Sequence, residues 1–564
     1  MAGAILTPTA LWKDFSIEEQ INVEVVSEKK DGDVIFTYFY FNGRKVKDGV
    51  VNIYGVIAKS VQQSVAMPAI LTVGDFEGNI DEKVMSDLAN RGYVAMAVDL
   101  EGRKDGKENF TKYPESIGYA NYEIVKDNLC DIAKDVRHSC WYEWTCVVKY
   151  AIAYLKSLPE ITKIGGFGIG QGATALWEVA GSDSSLDCAV FALNTGWMAY
   201  RGTQKFGSVI EPQFNDSVYK FVAGVEPQTY ALHVGCPTLV LSSTNSKLYD
   251  VDRAYDTVDK ISKDVYKAIH YSVGYRERVS GEGYQVATVF MENCLVKGNG
   301  GADLPKETDI KCEIVDGKIK VTVVCDPKNL TELALYSSEE ITDSKLRSYE
   351  KTTNYEKCDE GYVFYHTPYQ RSGTAIFFAQ ATYKNGFAMG SKVIAKKFSD
   401  SEIGFSHKVN VIYSSRNDNA ESIFAPSYVD TDRYVSVNVT KGEDVKLKKG
   451  PVGISGVYSP LGLTTFKVNA FKDKPQDDAL LMFDVYTKEN TTLTVKLVSD
   501  FYGARTEYLA RVNVLGGEIW QNVKLELIKF KTVDGMGLKS YKKIEAVQFV
   551  VDDKEYLVNN ALWV

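Results

Sequence analysis

One glycine-rich stretch, residues 163–177, constrains the fold of this 564-residue chain more than any other segment. It reads KIGGFGIGQGATALW, a short apolar run followed by closely spaced glycines and then by an amphipathic segment. This pattern predicts a buried strand, a tight turn and a helix. Gly168, Gly170 and Gly172 alternate through the turn, where small residues let the strand and the helix pass close together.

Strand and helix patterns alternate on both sides of this turn. Buried-strand patterns occupy 68–73, 93–99, 187–194 and 237–242, and helical periodicity occupies 81–91, 141–155, 250–261 and 282–295. Alternation at this spacing predicts a parallel sheet with helices on both faces. Residues 1–55 instead alternate apolar with polar side chains and carry a turn signal at Asn42-Gly43, which predicts an antiparallel lead-in to the same sheet.

The helical patterns stop near residue 297, and short strands with regular turns follow. A chain of this length is too long for a single core. We expect an α/β domain over 56–297, an immunoglobulin-like sandwich over 298–425 and a jelly roll over 426–564. The expected linkers lie at Gly300-Gly301 and near Pro426-Ser427.

Composition excludes several classes of function. The net charge of −9 disfavours nucleic acid and anionic membranes as partners, and no apolar run is long enough to span a bilayer. The nine cysteines form no CxxC pair and the five histidines have no ligand spacing, so we expect reduced thiols, no metal site and no cofactor. Because no export signal is visible at the N-terminus, the predicted location is cytoplasmic.

Residues 1–297 resemble α/β-hydrolases of the dienelactone hydrolase, acetyl-xylan esterase and cephalosporin-C deacetylase type. The matching stretches come in that family's order and are 68–73 with Gly74-Asp75-Phe76-Glu77-Gly78, 91–102, Trp141-Tyr142-Glu143-Trp144, 168–172 and Cys236-Pro237. The turn corresponds to the nucleophile elbow G-x-S-x-G. The resemblance implies an α/β-hydrolase sheet and, in relatives, ester hydrolysis by a serine, a histidine and an acid.

Each catalytic position of that family is altered here. Gly170 stands where the serine is expected, and glycine has no side chain that could attack a carbonyl carbon. Ser246 stands where the aspartate is expected, and the loop 274–280, where the histidine normally lies, contains none. Three altered positions together indicate released selection on hydrolysis.

Some nearby residues could take over these roles only with rearrangement. Asp250 and Asp252 lie a few residues beyond the acid position, and His270 lies in the strand before the histidine loop. Of the carboxylates Asp99, Glu101 and Glu143, Asp99 is expected to form a turn with Gly102. His138 and Cys140 are two residues apart on a predicted helix and therefore do not face each other.

The resemblance also implies a residual oxyanion hole. It would consist of backbone N–H groups near Asp75-Phe76 and at Gln171, which bind anions or carbonyls without cleaving esters. Trp197 belongs to the segment 196–230, which could line the crevice above Gly170 or fill it. An open polar crevice would favour a ligand, and a filled one would favour a structural role.

Two further readings concern the glycines and the C-terminal domain. The set Gly165 to Gly172 invites a dinucleotide-binding interpretation with Asp187 as the ribose partner, but its spacing and its late position in the strand series disfavour it. Residues 480–486, 516–530 and 555–560 resemble jelly-roll carbohydrate-binding modules. The candidate sugar-stacking residues are Tyr458, Tyr502, Tyr508 and Tyr541, and tyrosines also favour protein–protein contacts.

We therefore expect a catalytically degenerate, esterase-like protein with a binding or structural role. Its candidate partners are a carbohydrate or another small molecule, and further copies of the same chain in a homo-oligomer. The alternative is an active carbohydrate or small-ester esterase with a displaced nucleophile. That alternative requires a histidine or cysteine near a carboxylate in the crevice above 168–172.

Overall fold

The computed structural model describes residues 3–18, 20–62, 66–76, 78, 80–207, 212–298, 300–399, 403–404, 411–415, 420–427, 436–439, 445–470, 472–551 and 554–564. Residues 208–211 of the segment 196–230 lie outside these ranges, as do Glu77 and His407.

A nine-stranded sheet forms the centre of the first half of the chain. The spatial order of its strands is β1-β2-β3-β5-β4-β6-β7-β8-β9. The first three strands are antiparallel, β3 pairs antiparallel with β5, and all remaining pairs are parallel. The strands are β1 (Val23–Asp31), β2 (Val34–Val46), β3 (Gly49–Ser60), β4 (Met67–Val73), β5 (Val94–Val98), β6 (Ile161–Ile169), β7 (Cys188–Ala192), β8 (Thr238–Ser243) and β9 (Lys267–Ser272).

Helices cover both faces of this sheet, as the alternation of patterns predicts. The helices are α1 (Pro8–Trp12), α2 (Glu82–Asn90), α3 (Tyr122–Val125), α4 (Cys140–Ser157), α5 (Gln171–Ala180), α6 (Asp216–Gly224), α7 (Pro227–Tyr230), α8 (Val251–Val258) and α9 (Gly281–Met291), followed much later by α10 (Ala420–Ile423). Buried side chains of α4, α5 and α8 pack on one face, and those of α2 and α9 pack on the other. Such two-sided burial explains why the parallel strands read as continuous apolar runs.

The second half of the chain is rich in β-strands, and the α/β domain followed by several sheets confirms the predicted fold class. Its first sandwich has the sheets β11-β12-β16-β15 and β14-β13-β17-β18, with β19 paired to β17. Its strands are β11 (Asp309–Val315), β12 (Lys318–Val324), β13 (Leu330–Glu339), β14 (Glu350–Thr352), β15 (Glu356–Cys358), β16 (Gly361–His366), β17 (Gly373–Tyr383), β18 (Ala388–Gly390) and β19 (Ile394–Phe398). The short strand β10 (Arg278–Val279) comes before them in the chain and belongs to neither sheet.

The last sandwich consists of two larger sheets. Their orders are β23-β24-β31-β26-β29, with β20 paired to β31, and β21-β25-β30-β27-β28. Their strands are β20 (Val411–Tyr413), β21 (Ala425–Pro426), β23 (Lys446–Lys449), β24 (Ser455–Tyr458), β25 (Leu463–Thr465), β26 (Leu481–Thr487), β27 (Thr491–Ser499), β28 (Thr506–Val514), β29 (Gln521–Leu525), β30 (Ile544–Val551) and β31 (Tyr556–Trp563). The short strand β22 (Ser436–Val437) pairs with β10 in a separate two-stranded sheet. Residues as early as 411 therefore pair within this sandwich.

Among the described residues, no helix combines the length and the apolar character that crossing a membrane requires.

A buried ion pair joins the first sandwich to the α/β domain. The guanidinium of Arg347 donates to both carboxylate oxygens of Asp252, with 2.6 Å between Nη2 and Oδ2. Both side chains are 1% exposed. Arg347 also donates to the carbonyl oxygens of Ile341 and Thr342, each at 2.7 Å. Because every N–H group of the guanidinium is hydrogen-bonded, these bonds offset the free energy that burial of the two charges costs.

Removal of this guanidinium should strongly destabilise the chain. Arg347→Met leaves the Asp252 carboxylate buried without its partner, which typically costs about 3–5 kcal/mol. Urea denaturation followed by tryptophan fluorescence measures the loss. Lys311→Met is the matched control, because its partner Glu360 and Lys311 are 65% and 63% exposed, and no measurable change is expected there. Equal midpoints for the two variants would contradict this account of the junction.

Candidate functional site

The elbow of an α/β-hydrolase is present in its backbone geometry. Gly170 has φ 56° and ψ −124° and forms the N-cap of α5 directly after β6. Gly172 sits where a Cβ would lie 2.3 Å from the carbonyl oxygens of both Val73 and Gly74, so α5 approaches the end of β4 too closely for any side chain. At Gly168 an added Cβ would lie 2.6 Å from Cα of Ala173. The outer glycines are thus required by the close approach of strand and helix.

The carboxylate of Asp75 occupies the space that a side chain on residue 170 would need. A Cβ on Gly170 would lie 2.5 Å from Cγ and 2.6 Å from Oδ1 of Asp75. The same Oδ1 accepts a hydrogen bond of 2.8 Å from the backbone N–H of Gln171. That N–H is the one that would stabilise an oxyanion in an active relative. Asp75 is 6% exposed, so a buried negative group already occupies this donor.

Aromatic side chains surround Asp75. Phe76 is 3% exposed and stacks on Tyr122, with ring centroids 4.2 Å apart. It also contacts Trp144 at 4.5 Å. Burial raises the pKa of Tyr249, and the negative charge of Asp75 raises it further. The Tyr249 hydroxyl is buried and makes no hydrogen bond within the described residues. The space over the elbow is therefore filled mainly by aromatic rings and one carboxylate.

An open cleft lies beside this filled space. Its volume is about 550 Å³, and its lining includes Gly74, Asp75, Val84, Ile169 and Val437. Val437 belongs to β22, which lies between β21 and β23 along the chain. The cleft thus lies beside the elbow, with Asp75 in its lining.

The acid position of the family carries a serine–glutamate pair. The hydroxyl of Ser246 donates to Oε2 of Glu277 at 2.5 Å. Oε1 of Glu277 accepts from the backbone N–H of Lys247 at 2.7 Å. Ser246 and Glu277 are 4% and 3% exposed. These bonds tie the loop after β8 to the loop after β9, which is the connection that an aspartate–histidine bond would make in an active enzyme.

The loop 274–280, where the family's histidine is expected, contains the short strand β10, which pairs with a distant segment. β10 pairs in parallel with β22 through Arg278 and Val279. The guanidinium of Arg278 donates to the hydroxyl of Ser436 at 2.9 Å. The backbone N–H of Ser436 also donates to the carbonyl oxygen of Glu277 at 3.1 Å. The backbone of this loop is therefore engaged in strand pairing.

His270 lies inside β9 and is 1% exposed. Burial lowers its pKa to about 4, so the imidazole is neutral at physiological pH. Among the described residues, neither ring nitrogen has a hydrogen-bond partner of normal geometry. The imidazole therefore lacks the hydrogen bond to a carboxylate that orients the histidine of a triad.

The two aspartates beyond the acid position are engaged elsewhere. Asp252 pairs with Arg347, as described above, and Oδ1 of Asp250 caps α8 by accepting from the backbone N–H of Asp252 at 3.0 Å. Burial raises the pKa of Asp250. Asp250 also lies near Ser344, whose hydroxyl donates to it at 3.3 Å. Both carboxylates therefore serve the junction with the first sandwich.

Trp197 lies in a strained loop after β7. Its φ is 64°, a left-handed value that side chains rarely adopt. Its indole N–H donates to Thr257 at 2.9 Å, and the guanidinium of Arg253 lies 5.4 Å from the ring centroid. The ring lines a small polar pocket of about 90 Å³ together with Ser246 and Lys345. Trp197 is thus part of a polar pocket that also includes the first sandwich.

Other candidates for catalysis lack a complete constellation. His138 contacts Asp135 at 3.0 Å, and burial raises the pKa of Cys140 well above its ordinary value. Burial likewise raises the pKa of Cys236 to about 12. Glu143 pairs with Arg44, and Asp99 accepts from the backbone N–H of Gly102 at 3.1 Å, which is the predicted turn. Among the described histidines, none hydrogen-bonds to a serine or a cysteine.

The remaining expectations concern metals, nucleotides and sugars. Within the described ranges, no group of histidine, cysteine and carboxylate side chains is arranged to hold a metal ion. Asp187 is exposed just before β7, at the end of the sheet opposite Gly170, and accepts from the backbone N–H of Ile164 at 2.8 Å. Tyr541 is fully buried. Tyr502 donates to the carbonyl oxygen of Asn245 at 2.6 Å. These two tyrosines therefore do not form an exposed stacking surface, in contrast to the expectation from sequence.

Sequence reasoning missed four residues that define this site. Tyr249, Glu277, Glu226 and Arg347 are all buried, and their roles come from contacts that span long sequence distances. Of these residues, only Glu277 could have been predicted from sequence, since it lies in the loop 274–280, where the family's histidine is expected. The signal for Asp75 was its place in the Gly74–Gly78 stretch, although the orientation of its carboxylate towards the elbow was not predictable.

Glu226 is a further buried carboxyl group near Trp197. Burial raises its pKa to about 7. One oxygen accepts from the backbone N–H of Ala199 at 2.9 Å, and the other has no hydrogen-bond partner among the described residues. The carboxyl group of the folded chain is therefore mainly protonated only below about pH 7.

Gly170→Ser should destabilise the chain because the added Cβ collides with Asp75. We expect a loss of about 1–3 kcal/mol, typical of overpacking. Asp75→Ala removes the obstruction, so the double variant should lose less than the sum of the two single losses. Chemical denaturation of the three variants measures this coupling. Gly78→Ser is the control, because no atom lies within 4 Å of the position of its added Cβ. Additive losses would contradict the assigned contact.

Glu226 should make stability depend on pH. Its folded pKa of about 7 exceeds the ordinary value of 4.5, so its favourable contribution is complete below pH 4.5 and is lost as pH rises towards 7. Relative to Glu226→Gln, the wild type should therefore lose up to about 3 kcal/mol between pH 4.5 and 8. Denaturation of both proteins across this range is the measurement. A difference that stays constant with pH would show that folding leaves the pKa of Glu226 unchanged.

Comparisons with known proteins agree with this geometry at the level of the fold. Residues 53–216 match the Dienelactone hydrolase family. Similar solved structures include an acetyl xylan esterase from Paenibacillus (14% identity, 51% of this chain and 92% of that chain covered, TM-score 0.40). Another acetyl xylan esterase, from Thermoanaerobacterium, gives 14% identity, 49% and 89% coverage and a TM-score of 0.36. A cold-adapted esterase from an Arctic intertidal metagenomic library has 16% identity and a TM-score of 0.33, and the match covers 48% of this chain and 97% of that chain. A search of curated proteins gave no match. The family match supports a hydrolase fold for the α/β domain.

Proposed function

We propose that this chain is a catalytically degenerate esterase-like protein that acts by binding or assembly rather than by ester hydrolysis. The observation that carries the proposal is the hydrogen bond from the N–H of Gln171 to the carboxylate of Asp75. In hydrolysis this donor must stabilise the negative charge that develops on the substrate oxygen. A fixed carboxylate at the same donor competes for the hydrogen bond and repels the developing charge.

The remaining catalytic positions support the same proposal. Ser246 and Glu277 hold each other, and the loop that lacks histidine is paired with β22. Loss of any one group could be offset by a neighbour, but here each neighbouring carboxylate is already paired or used as a cap. The role that remains for this region is binding or assembly, and buried contacts join its α/β domain to both sandwiches.

A carbohydrate ligand is the finer part of the proposal. Of the four candidate tyrosines, Tyr458 and Tyr508 remain half-buried rather than fully engaged. The ammonium of Lys448 lies 4.0 Å from the centroid of the Tyr458 ring. Aromatic rings flanked by polar groups suit stacking on the apolar face of a sugar. The expected binding surface is therefore on the last sandwich rather than over the elbow.

An esterase assay tests the main proposal. Purified protein should hydrolyse p-nitrophenyl acetate no faster than a heat-inactivated sample. Asp75→Ala/Gly170→Ser should remain inactive as well, because it restores a hydroxyl but supplies no base to deprotonate it.

A positive result would have a defined signature. Turnover that is abolished by Gly170→Val, or a fluorophosphonate label that maps to a residue of the crevice, would favour the alternative of an active esterase with a displaced nucleophile. Gly78→Val is the control for the substitution, since Gly78 has open space around its Cα. Turnover unaffected by either variant would indicate a contaminating hydrolase.

A further inference from the structure

The two edges of the central sheet are in different environments. At one edge, the backbone of β9 contacts the first sandwich, where the N–H of Tyr271 donates to the side chain of Gln380 at 2.9 Å. At the other edge, β1 pairs only with β2, and no described residue pairs with its outer side. All nine residues of β1 are exposed. The outer edge of β1 therefore carries free backbone donors and acceptors that can accept another strand.

β1 combines exposed apolar and charged side chains. Val23, Val25 and Val26 are 40%, 58% and 44% exposed. Natural edge strands are commonly protected by charged side chains, by a β-bulge, by proline or by being short. β1 has charged side chains and a bulge, but it is nine residues long, has no proline, and carries charges of both signs. A strand with mixed charges can complement itself when it pairs antiparallel with an identical strand.

A β-bulge determines which residues of β1 share a face. Val25 lies opposite Phe39 and Ser27 lies opposite Tyr38, so one extra residue, Val26, is inserted between them. The bulge shifts the alternation by one residue. Consequently Glu24 and Lys29, five positions apart, lie opposite Tyr40 and Phe36 and project to the same face of the sheet.

This placement selects one antiparallel register between two copies. Residues directly opposite in an antiparallel pair project to the same face. The register that puts Glu24 opposite Lys29 of a second copy also puts Val25 opposite Glu28 and Val23 opposite Lys30. Each pair then lies on one face, and the twofold symmetry forms the Glu24–Lys29 pair twice. The alkyl stem of Lys30 can cover Val23.

We propose that β1 is a self-association edge, through which two copies of this chain pair antiparallel in this register and join their sheets. The proposal gives the assembly part of the proposed function a specific surface, and it rests on that part alone. Pairing of nine residues buries less than a standard interface of about 1,600 Å². The dimer should therefore dissociate on dilution within an accessible concentration range.

Charge exchange at two positions tests the register. Glu24→Lys places two lysines opposite each other, and Lys29→Glu places two glutamates opposite each other, so each variant alone should shift from dimer to monomer in sedimentation velocity. An equimolar mixture of the two variants should recover a dimer, because both cross-strand pairs are again of opposite sign. Loss of the exposed Lys29–Glu82 contact, in which Lys29 is 49% exposed, cannot produce recovery on mixing.

Lys311→Glu and Glu360→Lys provide the control exchange, since this exposed pair lies on the first sandwich. Neither control variant should change the fraction of dimer. A wild-type chain that stays monomeric at high concentration, or a dimer that is insensitive to the Glu24 and Lys29 variants, would overturn the proposal. Neither result would bear on ester hydrolysis, so failure here is distinct from failure of the proposed function.

Discussion

The close approach of β4 and α5 is the constraint on which the site depends. Gly172 lets the helix begin against the carbonyl oxygens of Val73 and Gly74, and Asp75 directly follows Gly74. Once strand and helix meet in this way, a carboxylate at position 75 falls within reach of the N–H of Gln171. Glycine at 170 then provides the space that this carboxylate needs. The glycine at 170 and the hydrogen bond from Gln171 are therefore parts of one packing arrangement.

The loops that carry catalysis in active hydrolases here hold the domains together. Asn245, after β8, donates to the carbonyl oxygens of Lys345 and Arg347 in the first sandwich. Tyr502 of the last sandwich donates to the carbonyl oxygen of the same asparagine. Since all three domains meet at this loop, its conformation is determined by packing rather than by a substrate.

The sequence was sufficient to predict the strand–turn–helix at 163–177 and the change to all-β structure after residue 297, because both follow from local periodicity and from glycine. That Gly170 and Ser246 stand at altered catalytic positions stays a prediction, since it depends on the order of motifs along the chain. The sequence did not reveal the bond from Gln171 to Asp75, the pairing of Arg347 with Asp252, or the strand β22. These contacts join residues about a hundred or more positions apart, or place two loops side by side, and no local pattern encodes them.

The pairing of β10 with β22 has a consequence for the loop after β9. This loop is held as a strand by a segment more than 150 residues away, and the guanidinium of Arg278 donates to the hydroxyl of Ser436 across the pair. A change in the conformation of this loop would first require that segment to detach.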